Sequence, residues 1–179
     1  MSFTDWVIDL ALIAIVLRQI RWNRVDLRFI LLPLGLVAWA ATSYLKAIPT
    51  AGNDLVLIGV LTAIGFTFGG LSALASDVRA EAGAAYVRAR GLAVGLWIAG
   101  VGSRIAFSLY AQNGGGSSVT HFSAAHHITT IAAWTDGLVL MALAEVITRL
   151  AILVWRGQRA VRAERSSSVS VRTFERVSV

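Results

Sequence analysis

The sequence predicts an all-α fold, a polytopic membrane helix bundle of about five transmembrane helices, and three observations carry that prediction. Of the 179 residues 56% are hydrophobic and only 15% charged, and the mean hydropathy is +0.70, outside the range of an ordinary soluble domain. The apolar residues gather into runs of about 17 to 25, the length a helix needs at about 1.5 Å per residue to cross a hydrocarbon core about 30 Å thick. Arginine clusters separate the runs, always on alternate connections.

Five runs qualify: Thr4 to Gln19, Phe29 to Leu45, Leu55 to Ala75, Gly91 to Ala111 and Ile131 to Trp155. The first is the shortest and contains Asp9, so it either spans with snorkelling ends or lies in the interface. Its basic residues follow the apolar stretch, the reverse of a cleaved signal peptide, so it reads as the mature first helix. Arg18, Arg21, Arg24 and Arg28 follow the first run, Arg79, Arg88 and Arg90 the third, and Arg156, Arg159, Arg162, Arg165, Arg172 and Arg176 the fifth. The segments between hold one basic residue, Lys46. The positive-inside rule then sets the N-terminus outside and the C-terminus in the cytoplasm.

This threading makes residues 1–156 one transmembrane domain and 157–179 a basic, serine-rich, disordered cytoplasmic tail. Fifteen arginines against one lysine fit a bacterial genome rich in GC, and the expected location is the bacterial inner (cell) membrane, crossed several times. Pro49 and Gly52 mark a short outer turn, and Gln112 to Ser118 reads as a flexible outer linker. The stretch between the third and fourth runs, 76–90, reads as a polar inner loop.

Composition also excludes. The chain has no cysteine, hence no disulfide, no thiol redox chemistry and no cysteine-bound zinc. The pI near 11.0 and net charge of +6 come from arginines beside apolar runs, which suits membrane orientation and gives no reason to expect nucleic acid. No GxxxxGK[ST], GxSxG, HExxH or CxxC pattern occurs, so no cofactor is expected.

Within the fourth run Gly91, Gly95, Ala99, Gly102 and Ala106 fall within about 80° of one another on a helix. Such a stripe admits a close helix backbone, which replaces the hydrophobic drive that lipid cannot supply. The third run repeats the theme with Gly59, Ala63 and Gly70 on one face and Gly65 and Gly69 on another. The two runs are thus expected to be tight partners.

Ionisable groups at membrane depth are costly unless paired or hydrated, so each is a candidate. Arg104 sits at a depth comparable to Asp9 and Asp136, and either acid can neutralise it. That arrangement is a structural ion pair or an outward-facing polar site for an anion or a small zwitterion. Glu145 and Arg149 are four apart and share a helix face, so they form a local pair. His121, His126 and His127 cluster at the outer head of the fifth run; they are weak metal candidates and offer no histidine pair across two spans for a b-type haem. Arg156, Arg159, Arg162 and Arg165 suit anionic lipid at roughly 1 kcal/mol each.

From Gly69 to Tyr110 the chain resembles the CcdC-like family of small bacterial membrane proteins. The residues that carry the likeness are Gly69-Gly70, then Tyr86, Val87 and Arg88, then Leu96-Trp97-Ile98-Ala99-Gly100-Val101-Gly102-Ser103-Arg104-Ile105-Ala106-Phe107. The resemblance implies an integral membrane protein with Arg104 as its residue of interest, and it implies no activity. The family's association with cytochrome c maturation does not carry over, since the chain has neither a thiol pair nor a haem-attachment motif.

The sequence therefore points to a non-enzymatic accessory or interaction protein, its partners the lipid bilayer and other membrane proteins or a copy of itself. The first alternative is a transporter-like or ligand-sensing bundle with its site around Arg104. The second is a membrane-embedded enzyme using the histidines or Glu145.

Overall fold

The computed structural model describes residues 22–44 and 49–177. The first apolar run lies outside these residues, and Asp9 with it. The chain proceeds through β1 (Asn23–Arg24), α1 (Leu27–Tyr44), α2 (Asp54–Leu74), β2 (Ser76–Glu81), β3 (Ala84–Ala89), α3 (Gly91–Tyr110), α4 (Gly116–Ala125) and α5 (Ile131–Val177). The molecule is mostly helical. Three of its described segments are long and apolar enough to cross a membrane: Asp54–Leu74, Gly91–Ala125 and Ile131–Ser167. Helix α1 has 18 residues and carries Pro33 inside it, where the ring removes one N–H from the ladder.

Helices α2 and α5 run parallel, and their glycines set the spacing. A Cβ on Gly65 would collide with the Met141 carbonyl, one on Gly69 with the Glu145 carbonyl, and one on Gly137 with Leu61. The contacts advance in step along both helices, so backbone meets backbone over two turns. This corrects the expected pairing: the tight partner of α2 is α5, and the contact uses the Gly65/Gly69 face. On α3, no atom of the described residues lies within 4 Å of a Cβ at Gly91, Gly95 or Gly102. Gly91, Gly95, Ala99 and Ala106 are exposed.

Charged side chains fasten both ends of the parallel pair. At one end the buried Asp54 carboxylate accepts from Thr129 N at 2.7 Å, Thr129 Oγ1 at 2.6 Å and Thr130 Oγ1 at 3.3 Å. Asn53 donates its backbone N–H to His127 O at 3.0 Å and its side-chain amide to His126 O at 2.9 Å. At the other end Arg156 Nη1 donates to Ala73 O at 2.6 Å and to Ser76 O at 3.0 Å. Each charge has the sign its helix ends require. Asp54 stands by the N-termini of both helices and Arg156 by the last carbonyls of α2.

The all-helical expectation misses a three-stranded antiparallel sheet of order β1-β3-β2. Residues 76–90 are a hairpin, not a loop, with Asp77 opposite Arg88 and Arg79 opposite Tyr86. Ala82 and Gly83 both have positive φ, 50° and 75°, the two-residue turn whose twist matches paired strands. Asn23 lies opposite Val87. The inner face of the sheet closes a core of Ala73, Val87 and Leu153, with Val25, Phe29, Val78 and Ile152 packed against it. On the outer face the Arg79 guanidinium lies 4.2 Å from the centroid of Trp22, a cation–π contact.

One further expectation is corrected. Residues 112–118 are not a free linker: Ala111–Gly115 form a widened helical turn, broken at Asn113 and at Gly114 with φ of 98°, and α4 follows at once. After Trp155, where a tail was expected, α5 is described as helix up to Val177. The hairpin leans on that continuation, with Gly83 N donating to Glu164 Oε2 at 3.1 Å. The arginine-bearing segments around β1, the hairpin and the α5 extension thus meet at one end of the bundle, here the sheet end.

Replacing Gly69 by Val should lower the stability of the folded bundle by at least the 1–3 kcal/mol or so of an overpacked core, whereas Gly95→Val on the open face of α3 should leave it within about 0.5 kcal/mol. Steric-trap or denaturant unfolding in bicelles measures both. Equal effects would overturn the assigned contact.

Candidate functional site

The residue on which three helices converge is Glu145 of α5. Its backbone carbonyl packs against Gly69 of α2, and its carboxylate lies against Gly100 of α3. A side chain at either glycine would drive the helices apart, so the two absent Cβ atoms are what let the acid in. One turn further along α3, Arg104 Nη2 donates to Glu145 Oε2. The pair is enclosed, with side-chain exposures of 19% for Arg104 and 5% for Glu145.

The expected partners are therefore exchanged. Arg104 meets Glu145, an acid not proposed for it; Asp136 forms no ion pair with Arg104, and Asp9 lies outside the described residues. Asp136 is itself buried, at 4% exposure, and no hydrogen bond or ion pair to its carboxylate occurs among the described residues. Nor is Glu145 reserved for its i+4 neighbour. Its hydrogen-bonded partner is on another helix, with Arg149 close enough to feel its charge. Sequence spacing found all three charged residues but not the Arg104–Glu145 contact, because helical periodicity reports which residues share a face and not which helix lies opposite.

Arg149 and Glu145 also line a cavity of about 110 Å³. Its other walls are Asn23 and Phe29, Val87 and Ala89 from the sheet, Trp97 from α3, and Val146, Leu150 and Leu153 from α5. The cavity is partly open, apolar along its walls and polar at Glu145, Arg149 and Asn23. A second cavity of about 250 Å³ lies at the opposite end between α4 and the start of α5, lined by Thr120, Ser123, Thr129, Thr130 and Trp134 among others. There Trp134 stacks on Phe107 at 4.9 Å and donates Nε1 to Ser123 Oγ at 3.0 Å.

The histidines do not assemble a metal centre. His126 stacks on Phe122 with centroids 4.1 Å apart, His127 offers its backbone carbonyl to Asn53, and no group of three His, Asp or Glu side chains converges among the described residues. No family model, curated protein or solved structure matches the chain.

Sequence reasoning missed the roles of Asp54 and Gly100, and it named Arg156 for lipid without its contact to the last carbonyls of α2. Asp54 carried a signal, an acid at the first position of an apolar run, where a helix N-terminus favours it. Gly100 lies on the α3 face opposite the small-residue stripe, and that face meets Glu145.

Chemically, the arrangement is an enclosed ion pair, each charge held by the other. Arg104→Gln or Glu145→Gln should each destabilise the bundle by about 3–5 kcal/mol by stranding the other charge, while Arg104→Met with Glu145→Leu should recover most of that loss. A double-mutant unfolding cycle in bicelles measures the coupling. Additive single effects would contradict the pairing.

Proposed function

We propose that this chain is a multi-spanning protein of a bacterial inner membrane that works by association and not by catalysis. It presents the small-residue face of α3 to a transmembrane helix of another membrane protein or of a second copy. The observation that carries the reading is the unequal use of two glycine faces. The Gly65/Gly69 face of α2 is consumed by α5, whereas Gly91, Gly95 and Ala99 of α3 stay exposed. In lipid a small-residue face gains nothing from acyl chains and gains close van der Waals packing from a helix.

The Arg104–Glu145 pair supports the same reading. An arginine matched to one enclosed carboxylate fixes how α3 sits on α5, and the residue that the CcdC-like resemblance singles out is then an architectural one. Orientation follows from charge: the sheet end carries Arg24, Arg79, Arg88, Arg90, Arg156, Arg159 and Arg162, which suits the cytoplasmic side, where anionic lipid meets them. Arg159 lies 3.9 Å from the centroid of Trp155, the kind of amphipathic pairing found where apolar and wet regions meet.

The natural absence of cysteine makes two tests direct. In native membranes, Ala99→Cys should cross-link to a partner or to a second copy several-fold more than Val60→Cys, which faces outward on α2; equal yields would count against the α3 face. In intact cells a membrane-impermeant thiol reagent should label Ser117→Cys and spare Glu81→Cys. The reverse pattern would invert the threading.

A further inference from the structure

The hairpin leaves one edge of the sheet open, and the groups along that edge select what pairs with it. The register from Ser76↔Ala89 to Glu81↔Ala84 runs without a bulge, and opposed pairs in an antiparallel ladder alternate between hydrogen-bonded and non-hydrogen-bonded. Two contacts fix which are which. Val25 N donates to Ala85 O at 2.9 Å, so Ala85 and Ala80 opposite it turn their main-chain groups away from each other. Arg156 Nη1 donates to Ser76 O at 3.0 Å, so Ser76 points off the ladder too. Alternation gives Val78 the same direction. Arg156 closes the Ser76 end, whereas the main-chain N–H and C=O groups of Val78 and Ala80 meet no partner on that side among the described residues. Both residues are half-buried.

A sheet edge is ordinarily blunted by a proline, a bulge or a charge pointing inward. Strand β2 has none of these, since its inward residues are Ser76, Val78 and Ala80. Its charges all stand on the outer face: Asp77, Arg79 and Glu81, with side chains 35%, 49% and 62% exposed. We propose that the β2 edge docks an extended segment of another protein, which adds a fourth strand through Val78 and Ala80 and carries an acid opposite Arg79 with a base on either side, opposite Asp77 and Glu81. Directly opposed side chains on one face of a sheet are near enough that unlike charges stabilise the pairing and like charges oppose it. The order base, acid, base reads the same in both directions, so it suits a parallel or an antiparallel strand. Main-chain bonds supply the affinity and the alternate charges the register. This surface lies beyond the α2 end of the bundle and goes beyond the association proposed for α3.

Symmetry rules out a second copy of the chain as the occupant. Its β2 would match Asp77 to Arg79 across a two-fold axis through Val78, and that axis is normal to the sheet. The sheet lies flat on α5, with Val78 and Val87 against Leu153 and Ala85 against Gly157. The axis would therefore run across the α5 rod, and the two copies would cross the bilayer in opposite senses. The arginine distribution gives every copy the same sense.

The test uses the full chain in phosphatidylcholine nanodiscs and a fluorescein-labelled synthetic peptide with the core lysine-valine-glutamate-valine-lysine, read by anisotropy. Saturable binding is expected with a Kd below about 100 μM, and the charge-reversed core glutamate-valine-lysine-valine-glutamate should bind at least about tenfold more weakly. Bound peptide should slow hydrogen exchange at the Val78 and Ala80 amides by at least about tenfold. Ala80→Pro removes one edge donor, leaves the bonds to β3 in place, and should weaken binding at least about tenfold. Arg79→Glu should move the preference to the core lysine-valine-lysine-valine-lysine. Absence of saturable binding, equal affinity for the charge-reversed peptide, or full binding by Ala80→Pro overturns the docking edge. If Ala80→Pro does not fold, the Arg79→Glu exchange and the two amides still decide. None of these outcomes bears on the α3 face, which has its own cross-linking test.

Discussion

The placement of one carboxylate organises this bundle. Glu145 touches α2 through its backbone and α3 through its side chain, and both contacts exist because the residues opposite, Gly69 and Gly100, have no Cβ. A charge in an apolar interior is tolerable only when a partner reaches it, and Arg104 does so from one turn beyond Gly100. Geometry and electrostatics therefore depend on each other. Without the glycines the acid cannot enter, and without the arginine its entry is too costly.

Parallel packing of α2 and α5 raises a second electrostatic problem. Side-by-side parallel helices bring like ends of their dipoles together, roughly half a positive charge at each N-terminus and half a negative one at each C-terminus. Antiparallel neighbours cancel these, and parallel ones do not. Asp54, buried between the two N-termini, and Arg156, on the last carbonyls of α2, supply the opposite charges at the two ends. The same side chains also satisfy backbone groups that a helix end leaves unpaired. The α2–α5 unit is thus closed at both ends and tight in the middle, and α1, α3 and the sheet assemble around it.

Much of this was legible in the sequence. Helix positions follow from apolar runs, and the predicted Leu55–Ala75 and Gly91–Ala111 differ from the observed Asp54–Leu74 and Gly91–Tyr110 by a residue at most, since hydropathy changes sharply there. The hairpin was illegible for a definite reason. Ser76–Glu81 and Ala84–Ala89 are rich in alanine and charge, poor in β-branched residues, and joined by Ala-Gly instead of a stronger turn pair. Their strand state comes from Val78 and Val87 closing the core against Ala73 and Leu153, a tertiary cause. Partner choice was illegible for a similar reason. Both faces of α2 and the stripe on α3 bear small residues, and only the third dimension decides which is used. The charged residues were found because they stand out against apolar runs, and the Arg104–Glu145 contact was not, because depth alone was available to match partners.

Helix α5 is a single piece of 47 residues, about 70 Å of continuous rod. It carries Glu145 within the bundle, Arg156 at the sheet end and Glu164 against the hairpin tip, with no break between them. A rod pinned about a third of the way along behaves as a lever. A tilt of about 5° about Glu145 displaces the far terminus by about 4 Å over the roughly 48 Å between them, carrying the hairpin along through Gly83. Whatever pulls on the arginine-rich arm therefore leans directly on the ion pair, and a shift at the ion pair is broadcast, magnified, to the arm.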